Sequence, residues 1–552
     1  MSAPQRKRVC IVGAGASGMS AAYALSKHPD RFEVTVFDKE SVAGGMATSL
    51  DIDPGTYGAA YINDGVQGCS PVFFNTLRMF RMLGFEATEV GMQISFGKGE
   101  HFWSNVFPSQ LVAEYQKDIA RFGGALKTIK RLEPFFAVVP VHVMLRMFRF
   151  STGFAERMVY PLVALFFGTG NQTPYISSAI LERVFMDPSM KLFEYNEKSL
   201  LASIPTMLSF PKLQNVYGAW VEETSSRGNV EFKLGHQVLR IVSRAAKKDG
   251  PVQIEYRQAD TGHECQPETA FFDELILAVD ADSCLKLLGK EATWRERTVL
   301  GNVKYLHDVT ITHSDLEYMK RNYEVQYSPK HNAPLSAGAS AQDRARMEDA
   351  FAFASHNFRP LYYTRQYERD RAKIEMSFDL THYQAQFRGE KPAGPIDPQE
   401  RAAHRNECQP PPEAARRAQD PALESVGEEV RTGMNAEGLA EPPLERHVFQ
   451  TIFLDRDGSQ DLWTVHEKWW KQQSHRWQHY AGVVPWMMFV NGKRHTHYAG
   501  AWSILNMHEL AVTSGFAAAY RLGADYPFHG DEDCERLFRL YLGLSHGTRM
   551  VS

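Results

Sequence analysis

The chain has little cysteine, no long apolar run and no excess of positive charge, and each shortage narrows what the protein can be. Six cysteines stand scattered through 552 residues, at Cys10, Cys69, Cys265, Cys284, Cys408 and Cys534. None forms a C-x-x-C pair, and this usage fits a reducing compartment rather than a disulfide framework. No apolar stretch reaches the ~20 residues that a membrane-crossing helix needs. The net charge is −4, with no Lys/Arg cluster to follow a phosphate backbone, so a nucleic-acid partner is not expected. The opening Met-Ser-Ala-Pro-Gln-Arg-Lys-Arg runs straight into an apolar segment and leaves no room for a signal peptide, which predicts a cytoplasmic location. What remains is ample. With 43% hydrophobic and 12% aromatic residues, the chain can build two or more domains with large cores.

The most informative stretch comes first. Residues 9–12 are an apolar run suited to a buried strand, followed by Gly13-Ala14-Gly15-Ala16-Ser17-Gly18, a small-residue helical segment to Ser26, and a second alternating strand over 32–37 that ends at Asp38. Gly13 permits the tight turn, Gly15 lets backbone approach a pyrophosphate, and Gly18 lets helix and strand pack closely. Ala16 and Ser17 stand at the helix N-terminus, where free N–H groups and the dipole favour phosphate. Asp38 lies where a carboxylate can accept from ribose hydroxyls, with Lys39 beside it. Strand, glycines, helix, strand and acid in this order read as a dinucleotide site.

Two further glycine segments specify the nucleotide. Gly44-Gly45-Met46-Ala47 follows the acid, and Gly65-Val66-Gln67 follows Asp64. In these segments the chain resembles the FAD-dependent flavin amine oxidase and phytoene desaturase superfamily, whose Gly-Gly segment runs beside the pyrophosphate and whose Asp-Gly segment passes the isoalloxazine. The resemblance implies FAD, bound non-covalently since no flavin-attachment motif is present. It also implies a strand pair that lays Val238 against the adenine, and a C-terminal turn at Gly500 and Ala501 whose following helix points its N-terminus at the flavin. Tyr498 and Trp502 would wall the ring. His508-Glu509 before Ser514-Gly515 resembles more narrowly the predicted NAD/FAD-binding proteins associated with cyclopropane-fatty-acyl-phospholipid synthases, although Met507 and Leu510 replace that subgroup's flanking Phe and Asp. His508 and Glu509 are accordingly the catalytic acid/base candidates as well as flavin contacts.

The fold class expected is α/β with an α+β substrate part: a Rossmann-like FAD-binding domain carrying an inserted, mixed substrate-binding domain, the amine-oxidase-like two-domain architecture. The FAD domain is expected to be discontinuous, over 1–70, 205–300 and 485–530, with 71–204 and 301–484 binding substrate and 531–552 as a C-terminal tail. Residues 388–445 hold nine of the 28 prolines and few large apolar side chains, so they read as a surface excursion or disordered loop. Apolar runs within 133–168, flanked by Lys127, Lys130, Arg131, Arg146, Arg149 and Arg157, read either as a helical pair lining a hydrophobic pocket or as a peripheral membrane contact. His466, His475, His479, His495 and His497 are too irregular for a metal cluster, and no metal is expected. Three activities fit: an FAD-dependent oxidoreductase oxidising or desaturating a small hydrophobic, fatty-acyl or lipid-like substrate; a flavin amine oxidase; and a redox-neutral FAD-dependent isomerase of polyunsaturated fatty acids.

Overall fold

The computed structural model describes residues 6–168, 170–188, 192–244, 252–259, 266–335, 339–388, 441–453 and 464–551. Cys265, Cys408 and most of the proline-rich segment lie outside the described residues. Of the other cysteines, Cys10, Cys69, Cys284 and Cys534 are buried free thiols.

The elements that position the site are, in chain order, strand β1 (Lys7–Val12), helix α1 (Ala16–Ser26), strand β2 (Phe32–Phe37), helix α2 (Phe74–Met82), helix α3 (Leu213–Ser225), strands β3 (Val230–Lys233), β4 (His236–Ser243), β5 (Val252–Gln258), β6 (Glu268–Phe272), β7 (Glu274–Leu277) and β8 (Thr496–Tyr498), and helices α4 (His508–Leu522) and α5 (Glu532–His546). A five-stranded sheet runs β3-β2-β1-β7-β8, and every pairing in it is parallel. Its strands therefore come from three distant parts of the chain. Parallel strands covered on both faces need continuous apolar runs, and β1 supplies one in Val9, Cys10 and Ile11, all fully buried. A smaller antiparallel sheet, β4-β5-β6, stands beside it.

Helix α1 is built of small residues because it is enclosed on all sides; every residue from Ala16 to Ser26 is buried. Helix α4 crosses so near that a Cβ at Gly515 would lie 2.0 Å from the carbonyl oxygen of Ser17. The second layer is a seven-stranded sheet in the order Thr464–Gln473, Tyr305–His313, Phe449–Phe453, Asp370–Asp379, Tyr362–Tyr367, Ile94–Phe96 and Trp103–Ser104. The observed architecture is thus mixed α/β around a Rossmann-like sheet, the class expected.

One segment differs from expectation. Residues 531–552 do not trail: α5 is capped by Asp531 and ends at left-handed Gly547. Cys534, Phe538, Tyr541 and Leu542 are buried along it, at the i, i+4, i+7, i+8 spacing of a core-facing helix. The apolar run near residue 135 forms short helices Glu133–Phe136 and Val141–Met147, with Phe136, Val141 and Met144 buried while Phe135, Val138 and Met147 are exposed. Among the described residues no helix is long and apolar enough to cross a membrane.

Candidate active site

A cavity of about 980 Å³ is walled by the parallel sheet, the seven-stranded sheet and the N-terminus of α4. That is near the upper end of small-molecule sites, ~300–1,000 Å³, and long enough in its lining to take an extended ligand. One arm is made by Gly13, Gly15, Ala16, Ser17, Asp38, Lys39, Gly44, Gly45, Met46 and Ala47, with Val238 of β4 at its side. Gly13 has φ +106°, and its N–H donates to the Phe37 carbonyl at 2.7 Å, which closes the turn after β1. The Gly44 N–H donates to the Ala14 carbonyl at 2.9 Å, so the second glycine segment lies directly against the first.

Gly15 caps α1 without a side-chain hydrogen bond, leaving the first-turn N–H groups free for an anion. A Cβ on Gly15 would meet only Gly45 Cα at 3.8 Å and Gly44 O at 4.0 Å; the remaining space is cavity. Gly18 is different: its Cβ would stand 1.8 Å from the Gly13 carbonyl oxygen, and it does not line the cavity. Asp38 accepts from Ala14 N–H at 2.6 Å and Glu40 N–H at 2.9 Å. Burial raises its carboxyl while those two N–H groups pull the other way.

Farther in, Gly65, Val66, Gln67, Gly500, Ala501 and His508 line the wall. Gly65 is forced, since a Cβ there would lie 1.9 Å from Met46 O and 2.6 Å from Trp470. Lys468 from the second sheet pairs with Asp64 at 3.1 Å and so pins this turn. Gln67 donates its amide to Gln450 Oε1 at 2.8 Å, while the buried Gln67 Oε1 and Thr310 Oγ1 have no partner among the described residues. Both belong to wall residues, where a bound ring system can supply the missing hydrogen bonds. Open helix N-terminus, glycine cradle and orphaned polar atoms together fit a flavin dinucleotide.

His508 and Glu509 separate. His508 lines the cavity, but its Nδ1 lies 3.0 Å from Thr76 Oγ1 and its Nε2 2.8 Å from Tyr217 OH. Burial lowers its pKa to about 4, so the ring is neutral near pH 7. Glu509 does not reach the cavity. Its carboxylate accepts from Asn75 N, Asn75 Nδ2 and Thr76 N, each at 2.8 Å, tying the start of α4 to the start of α2; burial raises its pKa against those bonds. Trp502 is on the wall, whereas Tyr498 is not: its hydroxyl donates to Glu296 at 2.5 Å. Of the 133–168 run, Leu165 and Gly168 contribute.

Among the wall residues that the sequence does not single out, six come from the second sheet, Tyr362, Met376, Phe378, Gln450, Ile452 and Trp470, with Tyr383 just beyond. Residues 376 and 378, and 450 and 452, share one face by the two-residue period of a strand. That alternation is visible in the sequence, but nothing local says which face meets a ligand.

Residues 11–79 match the NAD(P)-binding Rossmann-like domain. A solved protein from Exiguobacterium sp. 255-15, provisionally assigned as a protoporphyrinogen oxidase, superposes with TM-score 0.54 at 13% identity over 94% of this chain and 99% of that one. The fold is amine-oxidase-like. A putrescine oxidase variant from a redesign of cofactor binding superposes with TM-score 0.50 at 13% identity, covering 94% and 98%. No curated protein matches the chain. At such identities the amine-oxidase-like likeness is one of fold.

Proposed function

We propose that the chain is an FAD-dependent oxidoreductase that oxidises or desaturates a hydrophobic, fatty-acyl or lipid-like substrate. One observation carries the reading: the glycine-lined arm opens into a chamber walled by Met92, Leu165, Leu192, Met207, Met376 and Ile452. When bound there, FAD supplies hydride acceptance from carbon, chemistry that resides in the cofactor. The chain's own residues bind, orient and keep the site dry. The α1 N-terminus and Gly15 would hold the pyrophosphate, Asp38 the ribose and Val238 the adenine side. The N-terminus of α4, through Asn506 and Met507, would favour negative charge on the neighbouring ring edge. Binding would be non-covalent: burial pushes the Cys69 thiol well up, which makes it a poor nucleophile, and both His508 nitrogens are engaged.

Amine oxidation is the second reading, favoured by Tyr362 and Tyr383, whose ring centroids lie 5.7 Å apart on the wall and whose faces can attract a cation. Anaerobic titration decides. Long-chain acyl substrates should bleach the flavin absorbance while putrescine leaves it intact; bleaching by putrescine alone would overturn the lipid reading. Product formed without bleaching or oxygen uptake would point to the isomerase instead.

A further inference from the structure

Between Phe378 and Tyr383, both on the cavity wall, the chain turns from strand into a single helical turn, Leu380–Tyr383, begun by Asp379. Asp379 Oδ1 accepts the N–H groups of Thr381 at 3.0 Å and His382 at 3.1 Å. Its Oδ2 is left facing two imidazoles, with His447 Nδ1 at 2.8 Å and His382 Nδ1 at 3.2 Å. The Pro360 carbonyl oxygen is 3.0 Å from the same His382 nitrogen. The three side chains are buried, and their ligand atoms lie within 4.8 Å of one another.

The outward ring nitrogens are also provided for. His447 Nε2 lies 3.0 Å from the Pro442 carbonyl oxygen. His382 Nε2 lies 3.5 Å from the Glu441 carboxylate, which Arg359 holds in place. A metal-bound histidine typically donates its second ring N–H to a carbonyl or carboxylate in this way. If those outward nitrogens carry the ring protons, both Nδ1 lone pairs and Asp379 Oδ2 converge on one point, the arrangement a cation needs; with protons on Nδ1 instead, the same atoms form hydrogen bonds to the carboxylate.

We infer that Asp379, His382 and His447 bind a divalent transition-metal ion, with zinc the best match to two imidazoles and a carboxylate. The donors are Asp379 Oδ2 and the two Nδ1 atoms, with the Pro360 carbonyl able to complete four. Ligand distances of ~2.0–2.2 Å require the His447–Asp379 pair to open slightly. Imidazole nitrogen selects zinc-like ions over calcium or magnesium, which prefer all-oxygen sets. Burial leaves no position for substrate, so the ion is structural. It clips the returning segment at residues 441–448 to the strand Asp370–Asp379 and thereby fixes Phe378 and Tyr383 on the cavity wall.

The test uses the full chain, expressed with zinc, desalted and analysed for metal by plasma mass spectrometry; the readout is independent of bound flavin, so it stands or falls apart from the FAD proposal. Wild type should carry one zinc per chain, and chelator should lower its melting temperature until zinc is restored. His447→Gln and His382→Gln should lose the metal, while His356→Gln, an exposed control, should keep it. Glu441→Gln leaves the three ligands intact and should weaken zinc binding about 10–100-fold, which covers the case in which the ligand variants fail to fold. Wild type that holds no zinc after loading, and melts identically with chelator, would overturn the site in favour of a protonated histidine pair. Equal zinc in wild type and in folded His447→Gln would overturn it as well.

Discussion

Gly15 and Gly18 sit in one loop motif and answer to different constraints. A side chain on Gly15 would project into cavity space, with ordinary contacts to Gly44 and Gly45, so Gly15→Val should fold, melt near wild type in the absence of flavin, and bind no FAD. Gly18→Ala would drive a methyl into the Gly13 carbonyl and should lower stability by about 1–3 kcal/mol, the usual range for overpacking. Melting and bound flavin, measured together, separate the two; full FAD occupancy in Gly15→Val would move the phosphate site elsewhere. His508 follows the same logic of contact. Its ring packs against Phe80 and Phe210, and removing it strands the hydroxyls of Thr76 and Tyr217. His508→Ala should therefore cost about 1–3 kcal/mol of stability. Because the folded ring is protonated only near pH 4, the pH profile of flavin reduction between about pH 6 and 8 should keep its shape in the variant. A profile that loses a histidine-range limb in His508→Ala would restore the ring as a proton donor or acceptor.

The elements legible in the sequence were those whose causes are local. Strand β1, the glycine loop, α1 and β2 follow from apolar runs and turn chemistry within one short stretch, and α4 from its small residues. Helix α5 carried a helical period too, but its reason to exist is the groove that Tyr526 and Tyr520 help form against Phe538, which local sequence does not announce. The second sheet was the least legible. Apart from the hairpin of the 362 and 370 strands, the strands starting at residues 94, 305, 362, 370, 449 and 464 pair with partners far away in sequence, from Asp379 with Phe449 to Ile94 with Tyr362, and Gln450 reaches Gln67 only through that pairing. Glu296 is a similar case. Glu296 closes a capping box with Thr293 at the start of helix Trp294–Gly301, and it also takes Arg244 Nη1 at 2.6 Å and Nη2 at 2.8 Å. Arg244 and Tyr498 tie it to the β8 end of the parallel sheet. Burial opposes the Glu296 charge, yet the Arg244 bonds hold its pKa down at about 2. Glu296→Gln leaves a buried guanidinium without its counter-charge and should lose about 3–5 kcal/mol at pH 7. The pair's contribution is complete above the unfolded carboxyl value near 4.5 and declines as pH falls toward 2. A urea midpoint unchanged in Glu296→Gln would show that the network adds no stability.

At the scale of the whole molecule, the cavity lies between two sheets that share one continuous core, from Val9 and Ile11 in the parallel sheet to Ile94, Met376 and Ile452 in the other, and burying that much surface also buries titratable groups. His313 and His479 are held down to about 4, His475 and His497 to about 3, and His546 well below its ordinary value, in each case first of all by burial. All five are neutral in the folded chain and titrate near 6.5 once unfolded. The unfolded chain therefore binds more protons below that value, so stability is complete above pH ~6.5 and falls as pH drops toward 4 and then 3. Each histidine removes about 1.4 kcal/mol per pH unit within that window. Asp308, raised to about 6 mainly by burial, and Glu509, also raised by burial, work in the opposite direction but are outnumbered. Since domains are stable by only ~5–15 kcal/mol, one to two pH units of this slope should exhaust the margin. Circular dichroism should therefore show a cooperative loss of structure around pH 5, preceded by a urea midpoint that drops steadily below pH 6.5, with proton uptake on unfolding exceeding two per chain. A chain that keeps its urea midpoint from pH 7 to pH 4.5 would mean that these histidines take up protons without unfolding, and that water reaches them inside the fold.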